Sequence, residues 1–215
     1  MVTICLLSYY PPGVQPVRKD LENGARLNPH GYGFAFPWMV RRELDNPGEV
    51  IDHFLAMRVE YPESPAVFHS RNATGDSPRT LKNAQPFWTG DMIVAHNGYL
   101  FPHDGERSDS VIFGQEILPR YDLDDPAQVE LLEKRMGPNK AVILRLGRPA
   151  LILNQDYWIG LAGGTWHSNG DWQGIPHVLP GWCPVCHGAT MMKPVCLACE
   201  MDARERRALL MEPVI

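Results

Sequence analysis

The sequence predicts an α+β fold rather than a parallel, doubly wound sheet. Three observations carry this reading. Short apolar runs of strand character recur along the chain, about four helical patterns lie among them, and like segments come in pairs instead of alternating strictly as βαβ. The 20 prolines and 19 glycines among 215 residues mark many turns rather than long helices.

Taken in order, residues 3–9 (TICLLSY) read as a buried strand and residues 14–27 (VQPVRKDLENGARL) carry a weak helical pattern. Residues 31–40 (GYGFAFPWMV) form a strand entered through glycine. Residues 47–61 predict a helix, with Val50, Ile51, Phe54, Leu55 and Met57 as its apolar positions. Two short strands follow, PAVFHSR at 65–71 and DMIVAHNG at 91–98. The segment 108–121 is a helix with Ser108 or Asp109 as its cap. The next helix, 124–137, has Asp125 as cap, Pro126 at its first position and Gly137 past its end. Four strand-like runs then follow: KAVILRL, PALILN, YWIGL and GTWHSN. The tail, 198–212, predicts a short helix of mixed charge.

Composition narrows the function classes. With 44% hydrophobic and 21% charged residues, the chain suits one compact domain with a small appendage. A net charge of −5 gives no basic surface for nucleic acid. The apolar run at the start is too short to span a bilayer and lacks the basic flank of a signal peptide. The expectation is a cytoplasmic protein without a membrane partner.

The five cysteines divide unequally. Cys183, Cys186, Cys196 and Cys199 form two CxxC pairs in CPVCHGATMMKPVCLAC, whereas Cys5 stands alone. Thiolates are soft ligands, and two such pairs can clamp opposite edges of a tetrahedral zinc ion. A site closed by four sulfurs is structural rather than catalytic. The expected organisation is a four-residue leader at 1–4, a main domain at 5–178, and a zinc knuckle with a terminal helix at 179–215.

Polar residues cluster where predicted strands end. FHSRNATG carries His69, Arg71, Asn72 and Thr74, VAHNG carries Asn97 and Gly98, and RSDS carries Asp109. Each alone reads as a strand end, a turn or a helix cap. Together they offer more. A cysteine nucleophile needs a base, an attacked amide needs donors for its oxyanion, and an amino-acid substrate needs a cation and an anion. Cys5, Asn97 with Gly98, Arg71 and Asp109 supply all of these except the base. An α-amino group on Cys5, with its pKa near 8, would be a competent one.

At these residues the chain resembles the class II glutamine amidotransferases, which belong to the N-terminal-nucleophile (Ntn) hydrolases. CLLSYY is similar to the family's cysteine and following strand, NPHGYGFAF to its Asn-x-Asp-Gly-x-Gly segment, and FHSRNATG to its His-x-Arg-x-Ala-Thr-x-Gly. NAQPF, VAHNG and RSDS match three further motifs in family order, so that the likeness covers residues 5–168. It implies a four-layer αββα sandwich, with a small zinc-binding module appended. It also implies Cys5 as nucleophile, Asn97 and Gly98 as the oxyanion hole, Arg71 on the substrate α-carboxylate, Asp109 on its α-ammonium, and Thr74 near substrate. His69 is expected to be a packed, hydrogen-bonded residue.

Three departures stand out. His30 replaces the family's aspartate, Asn72 stands where some members carry tryptophan, and Met1–Ile4 precede Cys5. Activity as a class II amidohydrolase then requires cleavage of the Ile4–Cys5 bond or a later translation start; otherwise the site is inert. Two functions are therefore expected in competition. One is a glutamine or γ-glutamyl amidohydrolase working through a thioester and passing ammonia or an amine to a separate synthetase or acceptor protein. The other is a catalytically inactive scaffold that keeps the glutamine pocket for binding.

Overall fold

The computed structural model describes residues 5–73, 77–101, 104–175 and 197–214. They form a mixed α+β fold with two antiparallel sheets. In chain order the elements are β1 (Leu6–Tyr10), α1 (Arg18–Leu27), β2 (Tyr32–Phe36), β3 (Met39–Glu43), α2 (Pro47–Glu60) and β4 (Ala66–Ser70). Next come β5 (Phe87–Thr89), β6 (Met92–Asn97), α3 (Asp109–Ile112), α4 (Pro126–Met136) and β7 (Lys140–Arg145). The order ends with β8 (Leu151–Leu153), β9 (Ile159–Gly160), β10 (Trp166–His167) and α5 (Leu197–Met211). One sheet runs β3-β2-β4-β1-β10-β9 and the other β5-β6-β7-β8.

Burial explains why the strands read as continuous apolar runs. Every residue of β1, β2 and β4 is buried, because both faces of that sheet are covered. Tyr10, Phe34, Phe36 and Phe68 join Leu21, Ala25, Val50, Ile51 and Phe54 of α1 and α2 in one cluster. The alternate residues Leu7, Tyr9, Ala35 and Val67 meet Ile93, Ala95, Val142 and Leu144 of the second sheet. The remaining face of that second sheet, with Val94, Ala141, Ile143 and Leu153, packs against Ile112, Leu132, Met136 and Leu210. Phe54 touches Tyr10, Phe34, Phe36 and Phe68 at ring-centroid separations of 5.3–6.1 Å. Burying such a ring contributes about 2–3 kcal/mol.

Several sequence expectations shift in detail. The strand expected at 31–40 is a hairpin, with Pro37 and Trp38 turning the chain between β2 and β3. The edge strand β3 (MVRRE) escapes an apolar pattern search because its residues are only half-buried. The helix expected at 108–121 starts as α3, with Ser108 Oγ accepting from Val111 N, then passes into a π-helical turn (Phe113–Ile117) and a 3₁₀ turn (Leu118–Arg120) holding Pro119. The helices at 47–61 and 124–137 form as expected, capped by Asn46 and Asp125. Of YWIGL, only Ile159 and Gly160 pair as a strand.

Among the described residues, Arg58 and Asp171 are charged side chains with no exposed surface. Arg58, on the last turn of α2, is fully buried. Its guanidinium donates to the carbonyls of Pro11 (3.3 Å) and Pro62 (3.2 Å), and also to those of Val14 and Ser64. It therefore ties the loop after β1 to the loop before β4, and fixes the ends of two neighbouring strands remote from the candidate site.

Two buried histidines make the fold acid-sensitive. Burial pushes His69 down to about 3 and His167 to about 4, from an ordinary value of 6.5. His69 is wholly buried, as expected of a packed residue, and a hydrogen bond with the His96 backbone partly opposes the fall of its pKa. Between the two sets of values the unfolded chain binds more protons than the folded one. The stability these groups retain above pH 6.5 is therefore lost as pH falls. Each should cost about 2 kcal/mol at pH 5. Urea unfolding at pH 7 and pH 5 should show the midpoint dropping accordingly; an unchanged midpoint would contradict the burial of these rings.

Candidate functional site

The register of two strands assembles the site. β1 pairs antiparallel with β4, placing Leu6 opposite Ser70. Cys5, just before β1, therefore meets the residues just after β4. Asn72 N–H donates to Cys5 Sγ at 3.2 Å, and the thiol donates back to Asn72 O at 3.4 Å. Asn169 Nδ2 holds the Cys5 carbonyl at 2.8 Å.

The segment carrying Arg71 is clamped from behind. His30 N donates to Arg71 O (2.9 Å), Arg71 N to Gly31 O (2.7 Å), and Ala73 N to His30 Nδ1 (3.0 Å). His30 thus orders this loop through an imidazole acceptor. Burial, then the charges of Arg71 and Arg79, hold its pKa below 6.5, which keeps Nδ1 an acceptor at neutral pH.

A narrow cavity collects Cys5, Arg71, Gly98 and Asp109, with Tyr99, Phe101 and Ser77 among its other walls. Arg71 is 3% exposed; Nη2 donates to Ser77 Oγ at 2.8 Å, while buried Nη1 has no acceptor among the described residues. Asp109 Oδ1 accepts from Ser110 N and Oδ2 from Leu100 N, both at 2.8 Å, so backbone fixes the carboxylate while each oxygen keeps accepting capacity. Gly98 has φ +142°, and a Cβ there would overlap the side chain of Asn139. Only glycine suits this position, which leaves its backbone open to the cavity.

Of the residues expected at the site, Cys5, Arg71, Gly98 and Asp109 thus share one cavity. Asn97, at the end of β6, is 3% exposed and does not line it; its side-chain amide contacts Ser168 Oγ at 2.7 Å. Thr74 lies outside the described residues, as do Cys183, Cys186 and Cys196; Cys199 is buried on α5. Among the described residues no group of three or more His, Cys, Asp or Glu could hold a metal, and no helix there is long and apolar enough to cross a membrane.

Sequence reasoning missed Ser77, Ser168 and Asn169 as neighbours of the site, and it missed the hold of α5 upon it. Arg206 Nη1 donates to the carbonyls of Tyr99 (3.1 Å) and Leu100 (3.4 Å), and the Arg207 guanidinium lies 5.3 Å from the Phe101 ring centroid. The C-terminal helix therefore grips the wall that follows Gly98. The arrangement as a whole sets a thiol, a cation, an anion and the Gly98 backbone around one cavity.

The thiol is not activated in the intact chain. Burial pushes Cys5 up to about 11 from 9.0; the Asn72 backbone bond and Arg71 oppose this, and Asp109 reinforces it. Compared with known proteins, the chain matches no family model and no curated sequence. Alkylation of Cys5 by iodoacetamide, followed by mass spectrometry of its peptide, should stay slow from pH 7 to pH 9 and accelerate only toward pH 11. A rate already maximal at pH 8 would show a thiolate stabilised within this cavity.

Proposed function

We propose that this protein is a class II, glutamine amidotransferase-type amidohydrolase with Cys5 as its nucleophile. The observation that carries the reading is the convergence of Cys5, Arg71, Gly98 and Asp109, from four separated segments, on one cavity. Two packed antiparallel sheets flanked by helices support the four-layer αββα sandwich of the Ntn hydrolases as the finer description.

The chemistry follows from the residue types. Arg71 Nη1 receives the α-carboxylate of glutamine or of a γ-glutamyl compound, and Asp109 its α-ammonium. The side-chain amide carbon is thereby held against the sulfur. A free α-amine on Cys5, produced by cleavage of the Ile4–Cys5 bond, takes the thiol proton as sulfur attacks. Gly98 N–H and the Asn97 side chain stabilise the oxyanion. The C–N bond breaks, the leaving nitrogen takes the proton, and a thioester remains. Water then hydrolyses it to glutamate and the free thiol. The released ammonia or amine goes to a separate acceptor in the cytoplasm.

The elevated thiol favours a second reading for the uncut chain: a pocket that binds its ligand without turnover. A chain beginning at Cys5 distinguishes the two. It should hydrolyse glutamine or a γ-glutamyl amide, and Cys5→Ala should abolish this. Asn97→Ala should lower kcat about 10²–10³-fold with little change in KM. Arg71→Ala and Asp109→Ala should chiefly raise KM. Binding without turnover in the trimmed chain would leave a ligand-binding module.

The proposed appendage is a structural zinc site made by Cys183, Cys186, Cys196 and Cys199; their spacing and the burial of Cys199 support it. Because α5 carries Cys199 and also Arg206, loss of the metal should reach the cavity wall. Cys199→Ser should release zinc in metal analysis and speed hydrogen exchange at residues 98–101. Exchange unchanged after zinc loss would show that the helix holds the wall without help from the knuckle.

A further inference from the structure

Behind the cavity, Ser168 sits where three chain segments meet. Its Oγ accepts from Leu7 N at 2.9 Å and contacts the side-chain amide of Asn97 at 2.7 Å, while Ser168 N donates to Leu7 O at 2.9 Å. Both side chains are 3% exposed, and among the described residues Asn97 Oδ1 has no hydrogen-bond partner.

The two ends of a side-chain amide have the same shape, so the hydrogen-bond count decides which end faces Ser168. With the NH2 group toward Ser168, both lone pairs of its oxygen are taken, by Leu7 N and Asn97 Nδ2, and the hydroxyl's own hydrogen is left over. Oδ1, a strong acceptor, is then left buried and empty. With Oδ1 toward Ser168, the hydroxyl hydrogen gains its acceptor and Oδ1 is satisfied. A separation of 2.7 Å is also the ordinary O–H···O distance, shorter than most N–H···O bonds.

We propose that Ser168 is a positioning residue: its hydroxyl donates to Asn97 Oδ1 and so turns the Asn97 NH2 group away from Ser168 as an unused donor. No donor among the described residues reaches that end of the amide, which an oxygen placed there would need. The next residue, Gly98, lines the cavity with Cys5. The donor therefore waits for an oxygen brought by a ligand. Its identity as the carbonyl oxygen of a scissile amide rests on the amidohydrolase reading. Ser168 thus couples β1, through Leu7 N, to the side chain that would meet the developing oxyanion, and it does so without touching substrate.

Two measurements test this, the first independent of turnover. In the full chain, the Asn97 side-chain NH2 resonance, assigned by its loss in Asn97→Asp, should show weak or no NOE to the Ser168 β-protons. A strong NOE would place the NH2 group on Ser168 and overturn the proposal. The second uses the chain beginning at Cys5. Ser168→Ala should lower kcat about 10- to 100-fold, with KM nearly constant, because a preorganised donor is lost only in the transition state. Ser168→Thr, which keeps the hydroxyl, should restore most of the rate. In an Asn97→Ala background, Ser168→Ala should cost nothing more. An equal cost in both backgrounds would mean that Ser168 acts through the fold alone. A trimmed parent without turnover would instead overturn the amidohydrolase reading, and the NOE would still decide the orientation.

Discussion

β1 and β4 pair antiparallel with Leu6 opposite Ser70, and the site inherits its geometry from that register. The pairing brings the residue before β1 against the residues after β4, a separation of 67 positions in the chain. A slip by one residue would turn Leu7 and Tyr9 out of the layer they share with Ile93, Ala95 and Val142. It would also carry Cys5 away from the Asn72 backbone and leave Arg71 facing the wrong side. Apolar burial on both faces of the sheet therefore holds the register, and the register holds the polar groups. Arg58 secures the far ends of the same two strands by satisfying four loop carbonyls from inside.

Burial acts on the site in two opposed ways. Desolvation raises the Cys5 thiol more strongly than the Asn72 backbone bond and the positive charge of Arg71 lower it. The same exclusion of water strengthens whatever hydrogen bonds a ligand makes with Arg71 Nη1 and with the carboxylate fixed by Ser110 N and Leu100 N. A cavity of this kind favours binding of a paired cation and anion and disfavours an isolated thiolate. Under the proposed mechanism this asymmetry is useful, since the sulfur becomes a nucleophile only when a base takes its proton in place.

The surroundings of the site are joined to elements distant in sequence. His30 accepts from Ala73 N without adding a negative charge beside Arg71. Arg206 and Arg207 bring α5 against residues 99–101. A change in the C-terminal segment can therefore reach the cavity through hydrogen bonds to backbone carbonyls, with no contact to the thiol.

The sequence by itself determined the apolar runs and helical patterns, the caps at Ser108 and Asp125, and the residue types available at the strand ends. These are local properties, legible because periodicity and turn chemistry act over a few residues. It also singled out Cys5, Asn97, Gly98, Arg71 and Asp109 as companions from the chemistry their residue types offer together, and of these Asn97 does not line the cavity. It did not reveal β3, whose half-buried MVRRE lacks an apolar period, nor the burial of Arg58. Only the tertiary structure decided that Ser77 would occupy Arg71, that Asn169 would hold the Cys5 carbonyl from 164 positions away, and that Ser168 would sit between Leu7 and Asn97. Serine and asparagine after a strand look alike in sequence whether they face water or a neighbour. Which hydrogen bond each one makes depends on the register of strands that meet only when the sheets close.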